Sequence, residues 1–205
     1  MFQSNSVTIP GFLFTANDAD DDLAHNVGEQ LSVDLAAGSI NGSHTFGTVA
    51  VDNGNVVYTA PDNFTPPAPD QTLTDQFGYL VKDQAGVTSG VMVTLMLEGG
   101  GQLHGTGGDD VLIASPAVST LTGNGGSDSF YFAPHFGQDK ITDFAVGIDS
   151  IMIDHSIFAD VTALLAATHD DAHGDAVVVA AAGVDTITFQ GVTKAQLQAS
   201  DFHFV

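Results

Sequence analysis

The sequence predicts an all-β chain in two parts, a sandwich of short strands followed by a glycine-rich repeat region. From Thr8 to Leu97, short apolar-rich stretches are separated by Gly, Asn, Asp and Pro, and no long helical pattern interrupts them. The last of these stretches alternates strictly and stops at Glu98-Gly99-Gly100-Gly101. Beyond that stop, one nonapeptide rich in Gly and Asp occurs twice, eighteen residues apart, which is two periods of nine.

In the first part the predicted strands are Phe12 to Phe14, Gln30 to Leu35, Thr45 to Val51, Asn55 to Ala60 and Phe77 to Lys82. The last has Val91, Val93, Leu95 and Leu97 alternating with Met92, Thr94 and Met96. Six or seven strands in about 90 residues suit a β-sandwich of immunoglobulin-like proportions. The glycine run divides the chain into residues 1–98, a linker at 99–101, and residues 102–205.

The repeat carries the chemistry. Gly105-Thr106-Gly107-Gly108-Asp109-Asp110-Val111-Leu112-Ile113 fits G-G-x-G-x-D-x-U-x, where U is a large apolar residue. Gly123-Asn124-Gly125-Gly126-Ser127-Asp128-Ser129-Phe130-Tyr131 fits it again, and both depart only at the second position, as Thr106 and Asn124. Between them, Ala114 to Thr122 keeps Leu121 at the apolar position but has Ser119 for Asp and Pro116 in the glycine stretch. Glycine permits the positive φ that turns loop carbonyls inward, Asp supplies a charged oxygen, and the apolar residue fills a core between short strands.

After the repeats, Ile148 to Asp154 alternates as a strand does, and Phe158 to Thr168 carries Val161, Leu164 and Leu165 at helical spacing, which predicts one short helix. Ala176 to Val179 reads as a further strand.

Composition points the same way. The chain has 25 acidic residues against three basic ones, Lys82, Lys140 and Lys194, a formal charge of -22. No nucleic acid or anionic membrane attracts such a surface. Only Glu29 and Glu98 are Glu; the other acids are Asp, which favours turns and caps over helix faces. Carboxylates concentrated in loops suit a hard divalent cation, and calcium with oxygen ligands is the natural source of counter-charge outside a cell. A solvated acidic surface is the alternative on composition alone. Cysteine is absent, so no disulfide framework stabilises the fold. The start has no basic and apolar leader, and no stretch reaches membrane-spanning length.

Two resemblances add to these readings. Thr15 to Asp22, Gly54 to Phe64 and Asp75 to Asp83 make the first part similar to the cadherin-like or immunoglobulin-like tandem repeats of large bacterial surface proteins. That likeness implies a calcium loop from Asp18, Asp20 and Asp22, aided by Asp75 or Asp83. The nonapeptides, with Phe136 to Ile151 and Gly183 to Phe189, resemble the C-terminal region of repeats-in-toxin (RTX) proteins, whose repeats form a parallel β-roll closed by a β-rich cap. In such a roll two nonapeptides make one coil, so the resemblance implies that Asp110 and Asp128 face each other across one calcium. Carbonyls of Gly105, Gly107, Asn124 and Gly125 or Gly126 would complete the ligands. The loop bearing Pro116 and Ser119 implies no second site on the opposite edge. Asp139, Asp143 and Asp149 are further candidate ligands or simple turn formers. The ending Asp201-Phe202-His203-Phe204-Val205 is similar to the uncleaved signals read by type I secretion machinery.

The expectation is a noncatalytic, secreted or cell-surface, calcium-folded module of an adhesin that meets a carbohydrate or protein target, with no membrane insertion. The noncatalytic tail of a secreted RTX hydrolase or protease is the alternative.

Other constellations carry less. His169-Asp170-Asp171-Ala172-His173 imitates the zinc-protease spacing, but Asp170 is shorter than the required Glu and Gly174 ends any helix. Asp18, Asp20, Asp22 and Glu29 match calcium positions of an EF-hand, but Leu23 stands where the sharp turn needs Gly. No nucleophile elbow or phosphate-binding loop occurs.

Overall fold

The computed structural model describes residues 6–9, 32–34, 47–52, 55–59, 68, 71–82, 88–98, 101–180 and 183–205. The chain divides into two compact units, one of Phe2–Phe64 with Asp75–Thr94 and one of Thr65–Thr74 with Leu95–Val205.

In the first unit the strands are β1 (Ser6–Ile9), β2 (Ser32–Asp34), β3 (Thr48–Asp52), β4 (Asn55–Thr59), β5 (Thr72–Lys82) and β6 (Thr88–Glu98), the last two running on into the second unit. β4 pairs antiparallel with both β1 and β3. β5 lies between β2 and β6. Asp52 stands opposite Asn55, the register expected when Asn-Gly joins two strands. Val56 and Tyr58 point inward while Val57 and Thr59 are partly exposed, as a period of two requires. The Tyr58 hydroxyl donates to Asp75 Oδ2 at 2.8 Å, joining β4 to β5 across the unit. Burial first, and then this hydrogen bond to a carboxylate, hold the Tyr58 phenol well above its ordinary range. The predicted strand Phe12 to Phe14 lies outside the described residues.

The second unit is a coil. Its strands are β7 (Gly101–His104), β8 (Asp110–Ile113), β9 (Ser119–Thr122), β10 (Ser129–Phe132), β11 (Gln138–Ile141) and β12 (Ser150–Ile153). Helix α1 (Val161–Ala166), β13 (Thr168–Asp170), β14 (Ala176–Ala180), β15 (Asp185–Phe189) and β16 (Phe202–Phe204) follow. Parallel neighbours run β7-β9-β11-β15 in one sheet and β8-β10-β12-β16 in the other, so successive strands alternate between sheets through the repeats. That is a parallel β-roll, with β13 and β14 as an antiparallel extension. Gly101, placed in the linker by sequence, is the first residue of β7 and pairs with Ser119.

Register explains why the apolar repeat position is large. Leu112, Phe130, Ile151 and Phe202 are in-register partners along one sheet. Leu103, Leu121, Ile141 and Phe189 are partners along the other. All eight are buried, so Leu121 of the degenerate repeat still occupies its place in the core. Phe144 bridges the rows, with its ring centroid 6.2 Å from Phe130 and 5.1 Å from Phe189. Asp160 caps α1 by accepting from the Ala163 N–H, and Leu164 of α1 reaches the core. Among the described residues no helix is long and apolar enough to cross a membrane.

Candidate metal centre

Three loops stack along one edge of the roll, each leading from a strand of the β7 sheet into one of the β8 sheet: residues 105–109, 123–128 and 142–149. The second lies close against the first. A Cβ on Gly105 would stand 2.4 Å from the Gly123 carbonyl oxygen and 2.8 Å from Asp110 Oδ2. A Cβ on Gly123 would meet Asp128 Oδ2. Gly126, at φ +115°, passes so near Gly108 that a side chain would overlap its backbone. The absent side chains thus leave a narrow cradle in which loop carbonyls and two carboxylates crowd together.

The carboxylates also tie one coil to the next. Asp128 Oδ1 accepts the Asp110 N–H at 3.0 Å, and Asp149 Oδ1 accepts the Asp128 N–H at 3.0 Å. Asp149 Oδ2 takes the Ala145 N–H at 2.8 Å. Asp143 accepts the N–H groups of Gly123 and Asn124, and Asp109 accepts that of Ser127. Asp110, Asp128 and Asp149 are each 5% exposed or less, so three acids share a dry edge.

The electrostatic consequence is plain. Burial away from water pushes the Asp128 carboxyl up to about 7; the Asp110 N–H opposes this, and the charges of Asp149, Asp110 and Asp109 reinforce it. Asp149 is raised in the same sense, again by burial first, with Asp143 and Asp109 adding to it. A cation at this edge would reverse the cause. The folded state holds these protons more tightly than the unfolded chain, so metal-free stability should fall as pH rises from about 4 to about 7. Calcium-depleted protein is therefore expected to have a higher urea midpoint at pH 5 than at pH 7.5, and Asp128→Asn should flatten that difference.

The structure brings Gly105, Gly107, Asp110, Asn124, Gly126 and Asp128 into two adjacent loops, and sets Asp143 and Asp149 in the third. Asp139 falls on the opposite edge, where its Oδ1 accepts the Ser119 N–H at 2.9 Å. Asp185 does the same there for Gly137 at 3.1 Å. Asp75 sits in the other unit, buried, accepting from Tyr58, Gly47 and Gln76. Asp18, Asp20, Asp22 and Asp83 lie outside the described residues. His169 is in β13 and His173 in the turn toward β14, not on a helix.

Asp109, Asp185, Asp201 and Thr106 are absent from the sequence-based set. One signal would have found Asp185: Asp110, Asp128, Asp139, Asp149 and Asp185 each stand two residues before a buried apolar partner, as D-x-U. Among the described residues no three carboxylate or imidazole side chains form a ready-made metal cluster. The donor set instead suits a hard cation held by two carboxylates and loop carbonyls.

Residues 2–96 match the family model of the bacterial Ig domain. No curated protein matches the chain. Among solved structures, the crystal structure of extracellular lipase LipA from Serratia marcescens is similar at 17% identity over 69% of this chain, with a TM-score of 0.34. The chain spans 32% of that lipase's length.

Proposed function

We propose that this chain, in which a bacterial Ig domain precedes a parallel β-roll, is a calcium-binding, calcium-folded module of a secreted or cell-surface adhesin of the RTX kind. The observation that carries the reading is the glycine cradle between residues 105–110 and 123–128, where two buried aspartates lie against closely stacked loop backbone. When bound, calcium would supply positive charge beside Asp110 and Asp128. The chain's own residues do the rest: the glycines admit the close approach, Asp110 starts β8, Asp128 ties the next coil to it through the Asp110 N–H, and the apolar rows fill the core. The Ig domain would serve as spacer or adhesive surface.

In the low free calcium of a cytoplasm, sites of about 10⁻⁴ to 10⁻³ M affinity stay empty, and the acidic edge disfavours its own closure. Such a chain is suited to passage through a narrow type I exporter in a loose state and to folding outside. At a hundred times its dissociation constant one site adds about 2.7 kcal/mol. For a domain of this size that corresponds to a rise in melting midpoint of roughly ten to twenty degrees between EGTA and calcium at that hundredfold excess, about 10 to 100 mM. Magnesium should give much less, because it sheds water reluctantly and demands a tighter octahedron. Equal midpoints in EGTA and calcium would contradict the proposal.

A further inference from the structure

Both repeats depart from glycine at their second position, and both departing side chains bond to groups of the proposed site. The Thr106 N–H donates to Asp110 Oδ2 at 2.5 Å, and its hydroxyl lies 3.0 and 3.2 Å from the two oxygens of the same carboxylate. The Gly108 N–H in turn donates to Thr106 Oγ1 at 3.2 Å, closing the loop on itself. In the next coil, Asn124 Nδ2 donates to the Gly105 carbonyl at 2.8 Å. Asn124 holds φ +71° to do so, a conformation that asparagine tolerates better than most residues.

A glycine at either position would offer the Asp110 carboxylate and the Gly105 carbonyl no such side-chain donor. Taking this edge as the calcium site proposed above, we infer that Thr106, within the first loop, and Asn124, reaching from the second loop to the first, are internal latches that hold this edge in order without a cation and compete with calcium for Asp110 and the Gly105 carbonyl. The roll therefore trades calcium affinity for order in its absence. A hydrogen bond to a charged carboxylate is among the stronger ones, so the competition is measurable.

Thr106→Val keeps the branched shape and removes the hydroxyl, while Asn124→Gly removes the amide at a positive φ that glycine adopts freely. The test measures each variant and the double variant in the full chain, by thermal unfolding in EGTA and by calorimetric calcium titration. Each single variant should lower the metal-free midpoint and raise calcium affinity about fivefold, the double variant more than either. Unchanged or weaker affinity, in a wild type that does bind calcium, would overturn the latches and leave the calcium reading standing. Raised affinity with an unchanged metal-free midpoint would also overturn them, since nothing would then have been held closed. A wild type that takes up no calcium would overturn both.

Discussion

Asp128→Asn is expected to weaken calcium binding by about a hundredfold, or about 2.7 kcal/mol, while leaving the metal-free roll at least as stable as the wild type at pH 7.5. The two halves have separate causes. Asparagine keeps an oxygen that can accept the Asp110 N–H, so the tie between coils survives. It removes a carboxylate that burial and three neighbouring acids disfavour, so the folded chain loses an electrostatic burden when no cation is present. With calcium the same change deletes a charged ligand, which a neutral amide oxygen replaces poorly. Calorimetry and urea unfolding in EGTA read the halves independently. An unchanged affinity would remove Asp128 from the site, and a collapse in metal-free stability would make its role structural alone.

Phe130→Ala should destabilise the second unit by about 3–5 kcal/mol. Phe130 is fully buried, stands in register between Leu112 and Ile151, and meets Phe144 across the core. Its loss leaves a cavity where rows from both sheets meet, and parallel coils cannot close over it without breaking register. That cost is a large fraction of the 5–15 kcal/mol that holds a typical domain. Hydrogen exchange should quicken across β8, β10 and β12 and leave β3 and β4 unaffected. Saturating calcium should restore part of the protection, up to about 2.7 kcal/mol per site at a hundred times the dissociation constant. A loss below about 1 kcal/mol would mean that the apolar repeat position is not where the roll's stability lies.

The two parts of the fold were legible for different reasons. In the first part, short apolar stretches between Gly, Asn and Asp placed β3 and β4, and β4 buries Val56 and Tyr58 on one face. The N-terminal end of β5 was missed because Thr72-Leu73-Thr74 carries one apolar residue among exposed threonines. β1 (Ser6–Ile9) lies before the first predicted strand; Val7, Thr8 and Ile9 favour a strand, but the run is only four residues long and stops at Pro10. In the second part, two nonapeptide matches eighteen residues apart, taken with the resemblance to RTX rolls in which two nonapeptides make one coil, put Asp110 and Asp128 in adjacent coils.

The period then fails, and legibility fails with it. Asp139 serves Ser119 from twenty residues away and Asp149 serves Asp128 from twenty-one. Asp185 serves Gly137 from forty-eight, because α1 and the β13–β14 hairpin are inserted before the coil resumes. Nothing in local spacing encodes a parallel neighbour across such an insertion. Thr106 and Asn124 look like flaws in a glycine motif until the loop brings the Thr106 hydroxyl to the Asp110 carboxylate and stacking brings the Asn124 amide to the Gly105 carbonyl.

Calcium titration of chelated protein by isothermal calorimetry, followed in parallel by far-ultraviolet circular dichroism, tests the central claim most directly. A calcium-folded roll predicts saturable binding accompanied by a gain of β-structure. Absence of binding heat, or binding without any change in the spectrum, would contradict it, and the aspartate ladder would then be a metal-free scaffold that holds the coils in register by hydrogen bonds alone.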